Sequence, residues 1–91
     1  MKKVLLINEI FQNKIEDIEN INEKITLEIN ENKEEKIDFK SIQFNAVRQE
    51  FDFDLSKETI NLVSHIANKN KVTEDTVLIF ALNNVLNKHL I

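Results

Sequence analysis

Apolar residues in the first quarter of the chain recur every three or four positions, which is the period of an α-helix. These residues are Ile7, Ile10, Phe11, Ile15, Ile18 and Ile21. We therefore expect an amphipathic helix over residues 7–22. Residues 3–7 form an apolar run too short for its period to be read. Both the start of this helix and a short buried strand fit the run, and the helix is the favoured interpretation.

A strict alternation of apolar and polar residues follows, which is the period of a β-strand. Residues 24–29 place Ile25, Leu27 and Ile29 on one face, and a charged turn separates them from a second apolar set. The second set consists of Ile37 and Phe39, and the pair Ile42 and Phe44 can either extend it or stand apart. Its change of facing requires a bulge or a break, because strand side chains alternate between two faces. The pattern predicts a β-hairpin over residues 24–44 and a linker over residues 45–49.

The C-terminal half begins with an alternating segment, residues 50–55, and continues with two helical segments, residues 57–69 and 74–88. Each helix follows a residue whose hydroxyl can accept a hydrogen bond from a first-turn amide, Ser56 or Thr73. The predicted fold class is α+β. Residues 1–45 form an N-terminal helix and hairpin extension, and residues 46–91 form a strand-helix-helix unit within the same compact domain.

Six consecutive apolar residues, 77–82, lie within the last predicted helix. A helix that is apolar on all sides belongs at the centre of a core. A strand-helix-helix unit is too small to enclose it, so either the N-terminal half or a second copy of the chain must cover it. Burial between two copies is the favoured interpretation. A cofactor or lipid pocket is disfavoured, because no polar anchor such as Tyr, Trp or Arg accompanies the run.

Composition narrows the class of protein. The 91 residues are 42% apolar and 31% charged, which fits one globular domain whose small size favours oligomerisation. The absence of cysteine excludes disulfides and thiolate metal sites, and no apolar run reaches the ~18 residues of a membrane span. A soluble cytoplasmic protein is expected. Because glycine and proline are also absent, asparagine is expected at turns, namely at Asn30, Asn32, Asn45 and Asn70.

One stretch carries a family resemblance. It runs Phe-Asp-Phe-Asp-Leu-Ser-Lys-Glu-Thr-Ile over residues 51–60, followed by Ile66-Ala67, Val72-Thr73, Ala81-Leu82 and Val85-Leu86. Residues 50–88 thus resemble the ribbon-helix-helix family of Arc- and MetJ-type regulators. The resemblance implies an intertwined homodimer in which two strands pair as an antiparallel ribbon above a shared helical core. Outward strand side chains of that ribbon would enter the DNA major groove.

The resemblance also implies roles for individual residues. It places five residues in the dimer core: Phe51, Phe53, Leu55, Leu78 and Leu82. It places Glu50, Asp52 and Asp54 on the outward ribbon face, which contacts DNA or a partner. The amides of Thr73 and Glu74 take the position where the family holds a phosphate at a helix N-terminus.

The charge of the ribbon face departs from the family pattern. Family members usually carry Arg, Lys, Thr, Gln or Asn there, whereas this chain offers three carboxylates. Residues 50–91 hold four Lys, no Arg and six acidic residues, a net charge of minus two. Affinity for duplex DNA comes largely from neutralising phosphates with Lys and Arg. DNA binding is therefore disfavoured, and a protein partner with a basic surface is the alternative.

A second resemblance is to a strand-helix-helix stretch inside the condensation domains of nonribosomal peptide synthetases. It covers residues 55–90 and is carried by Val72-Thr73, Thr76-Val77-Leu78 and Val85-Leu86. Those enzymes depend on a His-His-x-x-x-Asp-Gly motif. With no Gly and no adjacent histidines in this chain, their activity is not expected here, and the likeness implies at most an interaction fragment.

No residue pattern in the chain predicts catalysis or metal binding. His65 and His89 lack the spacing of a ligand set and are expected to be structural or surface residues. The acidic clusters at residues 16–19 and 31–35 are typical of solvated faces, and a calcium loop requires a glycine. Neither a cofactor nor an enzymatic activity is expected. Two functions remain: a small dimeric regulator, repressor or antitoxin-like, of plasmid or phage type, and an acidic protein-interaction module that does not bind DNA.

Overall fold

The computed structural model describes residues 2–7, 18–33, 37, 39 and 47–90. Within this part of the chain the elements are β1 (Lys2–Ile7), α1 (Ile21–Glu31), β2 (Val47–Asp52), α2 (Lys57–Asn70) and α3 (Glu74–Leu90). A two-stranded antiparallel sheet and three helices confirm the α+β class. The radius of gyration, 12.2 Å, is that of a compact chain of this length. Among the described helices, none combines the length and apolar character needed to cross a membrane.

The N-terminal residues form a strand, so the favoured helical interpretation of residues 3–7 was wrong. β1 pairs antiparallel with β2, with Lys2 opposite Asp52 and Leu5 opposite Gln49. Exposure alternates along β1, from the exposed Val4 to the buried Leu5. Pairing with a strand 40 to 50 positions away fixes this period of two, which the short run could not reveal by itself. β2 also begins inside the predicted linker and ends before residue 55.

Residues 24–29, predicted as a strand, lie in helix α1, so the predicted hairpin was also wrong. Ile21, Ile25 and Ile29 recur every four residues and form one stripe on the helix, with Ile25 and Ile29 fully buried. Leu27 lies off this stripe and is 61% exposed, whereas a strand would have buried it beside Ile25. The helix begins after Asn20, whose φ of 56° is a left-handed conformation that asparagine tolerates.

Several expectations for the first half concern residues at the edge of, or outside, the described part. Most of the predicted helix over residues 7–22, namely residues 8–17, lies outside it, as do Ile42, Phe44 and Asn45. Ile37 and Phe39 are described; they belong to no strand and pack, partly buried, against the core.

Both C-terminal helices and their caps confirm the prediction. Oγ of Ser56 accepts a hydrogen bond from the Thr59 amide at 3.2 Å, and Oγ1 of Thr73 accepts one from the Thr76 amide at 3.2 Å. The corner between the helices differs in one detail. The left-handed residue is Lys71, with φ 58°, rather than Asn70.

Helix α3 occupies the centre of the core. Its buried residues are Val77, Leu78, Ile79, Ala81, Leu82, Val85 and Leu86. α1, α2 and β1 all contact it, and Phe39 meets Phe80 edge to face with ring centroids 5.5 Å apart. Of the two ways to cover the apolar run, the single chain therefore uses its own N-terminal half.

Candidate interaction surface

The outward face of the sheet is balanced in charge. Glu50 and Asp52 are exposed on β2, and β1 brings Lys2 beside them. Nζ of Lys2 lies 3.7 Å from Oε1 of Glu50, and Lys2 is the register partner of Asp52. Arg48 is exposed on the same face. Two cations therefore share this face with two carboxylates, so the face is neutral rather than acidic.

Asp54, the third predicted ribbon residue, lies past the end of β2. Its backbone amide donates a hydrogen bond to Oδ1 of Asn22 in α1 at 3.0 Å. The structure thus brings Glu50 and Asp52 together on the sheet but places Asp54 beside the start of α1.

The start of α3, predicted as an anion site, is surrounded by the protein's own polar groups. The Thr73 hydroxyl caps the Thr76 amide, and Oε1 of Glu74 accepts a hydrogen bond from Oγ of Ser64 at 2.6 Å. Asp75 adds a second carboxylate in the same turn. These carboxylates complement the helix dipole in the way that a bound phosphate would.

The residues predicted for the dimer core are brought together inside one chain. Phe51, Phe53, Leu78 and Leu82 are buried, and Leu55 is partly buried against the same cluster. The rings of Phe51 and Phe53 lie 5.8 Å apart. The structure describes a single chain, so both the homodimer and its core residues stay predictions.

Leu27 is the most exposed of the large apolar side chains whose exposure the structure describes, and it forms a wall of two grooves. The first groove, about 340 Å³, runs between α1 and α3 and is lined by Lys24, Leu27, Glu28, Glu31, Val85 and Lys88. The second, about 680 Å³, lies between the start of α1 and the segment before α2. Its charged lining residues are Glu23 and Asp54. The exposed side of α1 thus offers one apolar residue between a charge-balanced groove and an acidic one.

A buried carboxylate lies in the wall of the first groove. The side chain of Glu28 is only 6% exposed, and its Oε1 forms an ion pair with Nζ of Lys88, whose side chain is 63% exposed. Nδ2 of Asn84 donates to Oε2 of Glu28 at 3.3 Å, and Nζ of Lys88 lies 3.4 Å from Oε2 of Glu31. Burial of a carboxylate requires such partners, because an unpaired charge in the interior is strongly destabilising.

The pKa of Lys88 responds to this arrangement. The hydrogen bond to Glu28 raises the pKa of Lys88 above its usual value, and the negative charges of Glu28 and Glu31 raise it further. Desolvation lowers the pKa of Lys88 and is second in size to the hydrogen bond with Glu28, and the net direction is upward. The ammonium group of Lys88 is therefore held in its charged form next to the buried carboxylate.

The structure places His65 on the exposed side of α2. Among the described residues, no group of three His, Cys, Asp or Glu side chains is close enough to hold a metal ion. The side chain of His89 lies outside the described part.

Comparison with protein-family models, with curated proteins and with solved structures gives no match to this chain. The function must therefore be inferred from the surface itself. Leu27 lies beside several carboxylates, one of which is the buried Glu28 paired with Lys88. Such a surface can bind a complementary protein surface by burying apolar area and by pairing charges.

Leu27, Glu28 and Lys88 were not predicted from the sequence as residues of a binding surface. A signal was present, because the four-residue spacing of Ile21, Ile25 and Ile29 leaves Leu27 off the helical stripe. Glu28 is adjacent to this stripe, so its carboxylate could be expected near the core. No sequence signal connected Glu28 with Lys88, 60 positions away.

Proposed function

We propose that this chain acts by binding rather than by catalysis, as a small module for a protein partner that carries an apolar side chain beside basic residues. The observation that carries the proposal is the position of Leu27, which is 61% exposed between two grooves. An exposed leucine is ordinary on a protein surface. Leu27 differs because concave surface lies on both sides of it, so a partner side chain placed there is buried on several sides.

Charge supports a basic partner. The chain has a net charge of minus four, and the charged residues of the second groove, Glu23 and Asp54, are both acidic and exposed. Complementary charges accelerate association and disfavour wrong partners, while desolvated apolar contacts contribute most of the affinity. A segment with Lys or Arg next to Leu, Ile or Phe fits both requirements.

Selection from a random library of 12-residue peptides displayed on phage tests this function, with the purified full chain as bait. The selected peptides are expected to combine apolar and basic residues. Their affinity should fall about tenfold or more on Leu27→Ser, because burying a leucine contributes ~1.5–3 kcal/mol.

The matched control is Val4→Ser, which removes another large apolar side chain that is exposed, at a position on the sheet away from both grooves. Affinity for the selected peptides should be unchanged on this variant. If every selected peptide binds wild type, Leu27→Ser and Val4→Ser equally well, the surface around Leu27 is not the binding site and the proposal fails.

A second candidate is the dimeric regulator of ribbon-helix-helix type, and one observation favours it. The described sheet has two strands, so β2 keeps an edge that does not pair with β1. If a second copy pairs there antiparallel about residue 49, each Arg48 lies opposite the partner's Glu50 on the outward face. Two copies of this edge would therefore place opposite charges side by side. Both residues are exposed in the single chain.

Light scattering combined with a charge swap tests this second candidate. Arg48→Glu should convert a dimer to a monomer, and the double variant Arg48→Glu, Glu50→Arg should restore the dimer. A gel shift with DNA from upstream of the gene, at low and moderate salt, tests DNA binding. A monomeric mass for wild type and no shift at low salt would leave the protein-binding function alone.

A further inference from the structure

The buried carboxylate of Glu28 forms its ion pair with Lys88, a residue whose side chain lies mostly in solvent. We infer that Glu28 is the receptor for an arginine side chain of the partner, and that Lys88 occupies this position in the unbound protein. This inference rests on the proposed function, because it concerns the first of the two grooves beside Leu27. Lys88 then acts as an internal ligand that the partner replaces.

The exposure of the two side chains supports an exchange. Glu28 is held in place within α1, with 6% of its side chain exposed and Asn84 donating to Oε2. Lys88 reaches it from outside with 63% of its side chain exposed, so Lys88 can leave without opening the core. Its ammonium regains full hydration in solvent, whereas Glu28 needs a replacement cation.

Arginine fits the vacated position better than lysine does. A guanidinium is planar, remains charged, and presents paired N–H donors to a carboxylate, whereas an ammonium acts as a point charge. Glu31 lies within reach of the same cation, since Nζ of Lys88 is 3.4 Å from its Oε2. The apolar wall formed by Leu27 and Val85 can contact the methylene groups of an arginine.

The energetic cost of the exchange is small because one ion pair replaces another. The buried Glu28 carboxylate is paired with a cation both before and after the exchange, so neither state carries the cost of an unpaired buried charge. Affinity then comes from the better geometry of arginine and from burial of the neighbouring partner residue over Leu27. The arrangement favours a partner with an apolar residue and an arginine close together.

Peptides that depend on Leu27 provide the probe for this inference. Replacing their arginine by citrulline, which keeps the shape and removes the charge, should weaken binding about tenfold, and replacing it by lysine about threefold. The arginine and citrulline peptides should bind the Glu28→Gln variant of the protein with equal affinity.

Two substitutions of Lys88 should act in opposite directions. Lys88→Met removes the internal ligand and should raise the affinity for arginine peptides about threefold, whereas Lys88→Arg strengthens the internal ligand and should lower it by a similar factor. Lys24→Met is the matched control, since it removes the same charge from the same groove and leaves Glu28 paired. Thermal melting followed by circular dichroism shows whether each variant is folded. If Lys88→Met does not fold, the effect of Lys88→Arg alone tests the inference.

The outcomes separate the two proposals. If peptides depend on Leu27 but bind equally well with arginine or citrulline, and Lys88→Met behaves as Lys24→Met, the inference about Glu28 is overturned and the binding function stands. If no peptide depends on Leu27, the proposed function itself is overturned.

Discussion

Nζ of Lys3 lies 2.7 Å from Oδ1 of Asp75, which joins the first strand to the first turn of the last helix across 72 positions of sequence. The pair is partly exposed, and ion pairs of this kind contribute ~0–1 kcal/mol. Its value is geometric, because it marks the place where β1 packs against α3. The N-terminal strand is thus part of the core assembly.

Substitutions in β1 test this role. Leu5 is 1% exposed, so Leu5→Ala should lower the free energy of unfolding by ~2–5 kcal/mol. Val4, the adjacent residue, is 46% exposed, and Val4→Ala should change it by less than ~1 kcal/mol. Urea denaturation measures both. Equal, small effects would mean that β1 does not cover the core.

Neighbouring residues of α1 distinguish a helix from the strand that the alternation suggested. Ile25→Ala should cost ~2–5 kcal/mol of unfolding free energy because Ile25 is fully buried. Leu27→Ala should stay within ~0.5 kcal/mol, since Leu27 is exposed and alanine is an excellent helix former. A large loss at both positions would indicate that they share one buried face, as in a strand.

The two helix caps give a third prediction. Ser56→Ala and Thr73→Ala each remove an acceptor for a first-turn amide and should each lower the free energy of unfolding by ~1 kcal/mol. Asn61→Ala, at an exposed position within α2, is the control and should be neutral or slightly stabilising. Thermal melts of the three variants suffice. If removing a cap leaves the stability unchanged, the helix does not begin at that residue.

The pH dependence of stability provides a fourth prediction. Folding raises the pKa of Lys88 through its hydrogen bond to Glu28, so the folded state binds the proton more tightly than the unfolded chain does. The resulting stabilisation is complete below the unfolded value of ~10.4 and is lost as the pH rises through the folded pKa.

Denaturant unfolding of wild type and Lys88→Met at about pH 8 and about pH 11.5 tests the fourth prediction. The stability difference between the two proteins should shrink at the higher pH. A difference that stays constant between these pH values would show that the charge of Lys88 does not support the fold.

Local signals in the sequence predicted the C-terminal helices well. A hydroxyl residue followed by acidic residues marks a helix start within four positions, so Ser56 and Thr73 were identified without knowledge of the rest of the fold. The apolar run at residues 77–82 likewise predicted a central helix, because a helix that is apolar on all sides has no polar face to expose to water.

The N-terminal half was harder to predict for a physical reason. Ile25, Leu27 and Ile29 fit a strand, while Ile21, Ile25 and Ile29 fit a helix, and the same residues serve both patterns. Contacts with α2 and α3 favour the helix, and such contacts are not encoded locally. The charge of the ribbon face depended in the same way on Lys2, which reaches Glu50 only through strand pairing.

The orientation of α1 separates the residues that hold the helix on the core from the residues that face solvent. Its isoleucine stripe is buried, whereas Leu27, Glu23 and Glu31 are exposed on the other side of the helix. Mutations at these outer positions leave the buried stripe intact, so a lineage can change the exposed surface of α1 without passing through an unfolded intermediate.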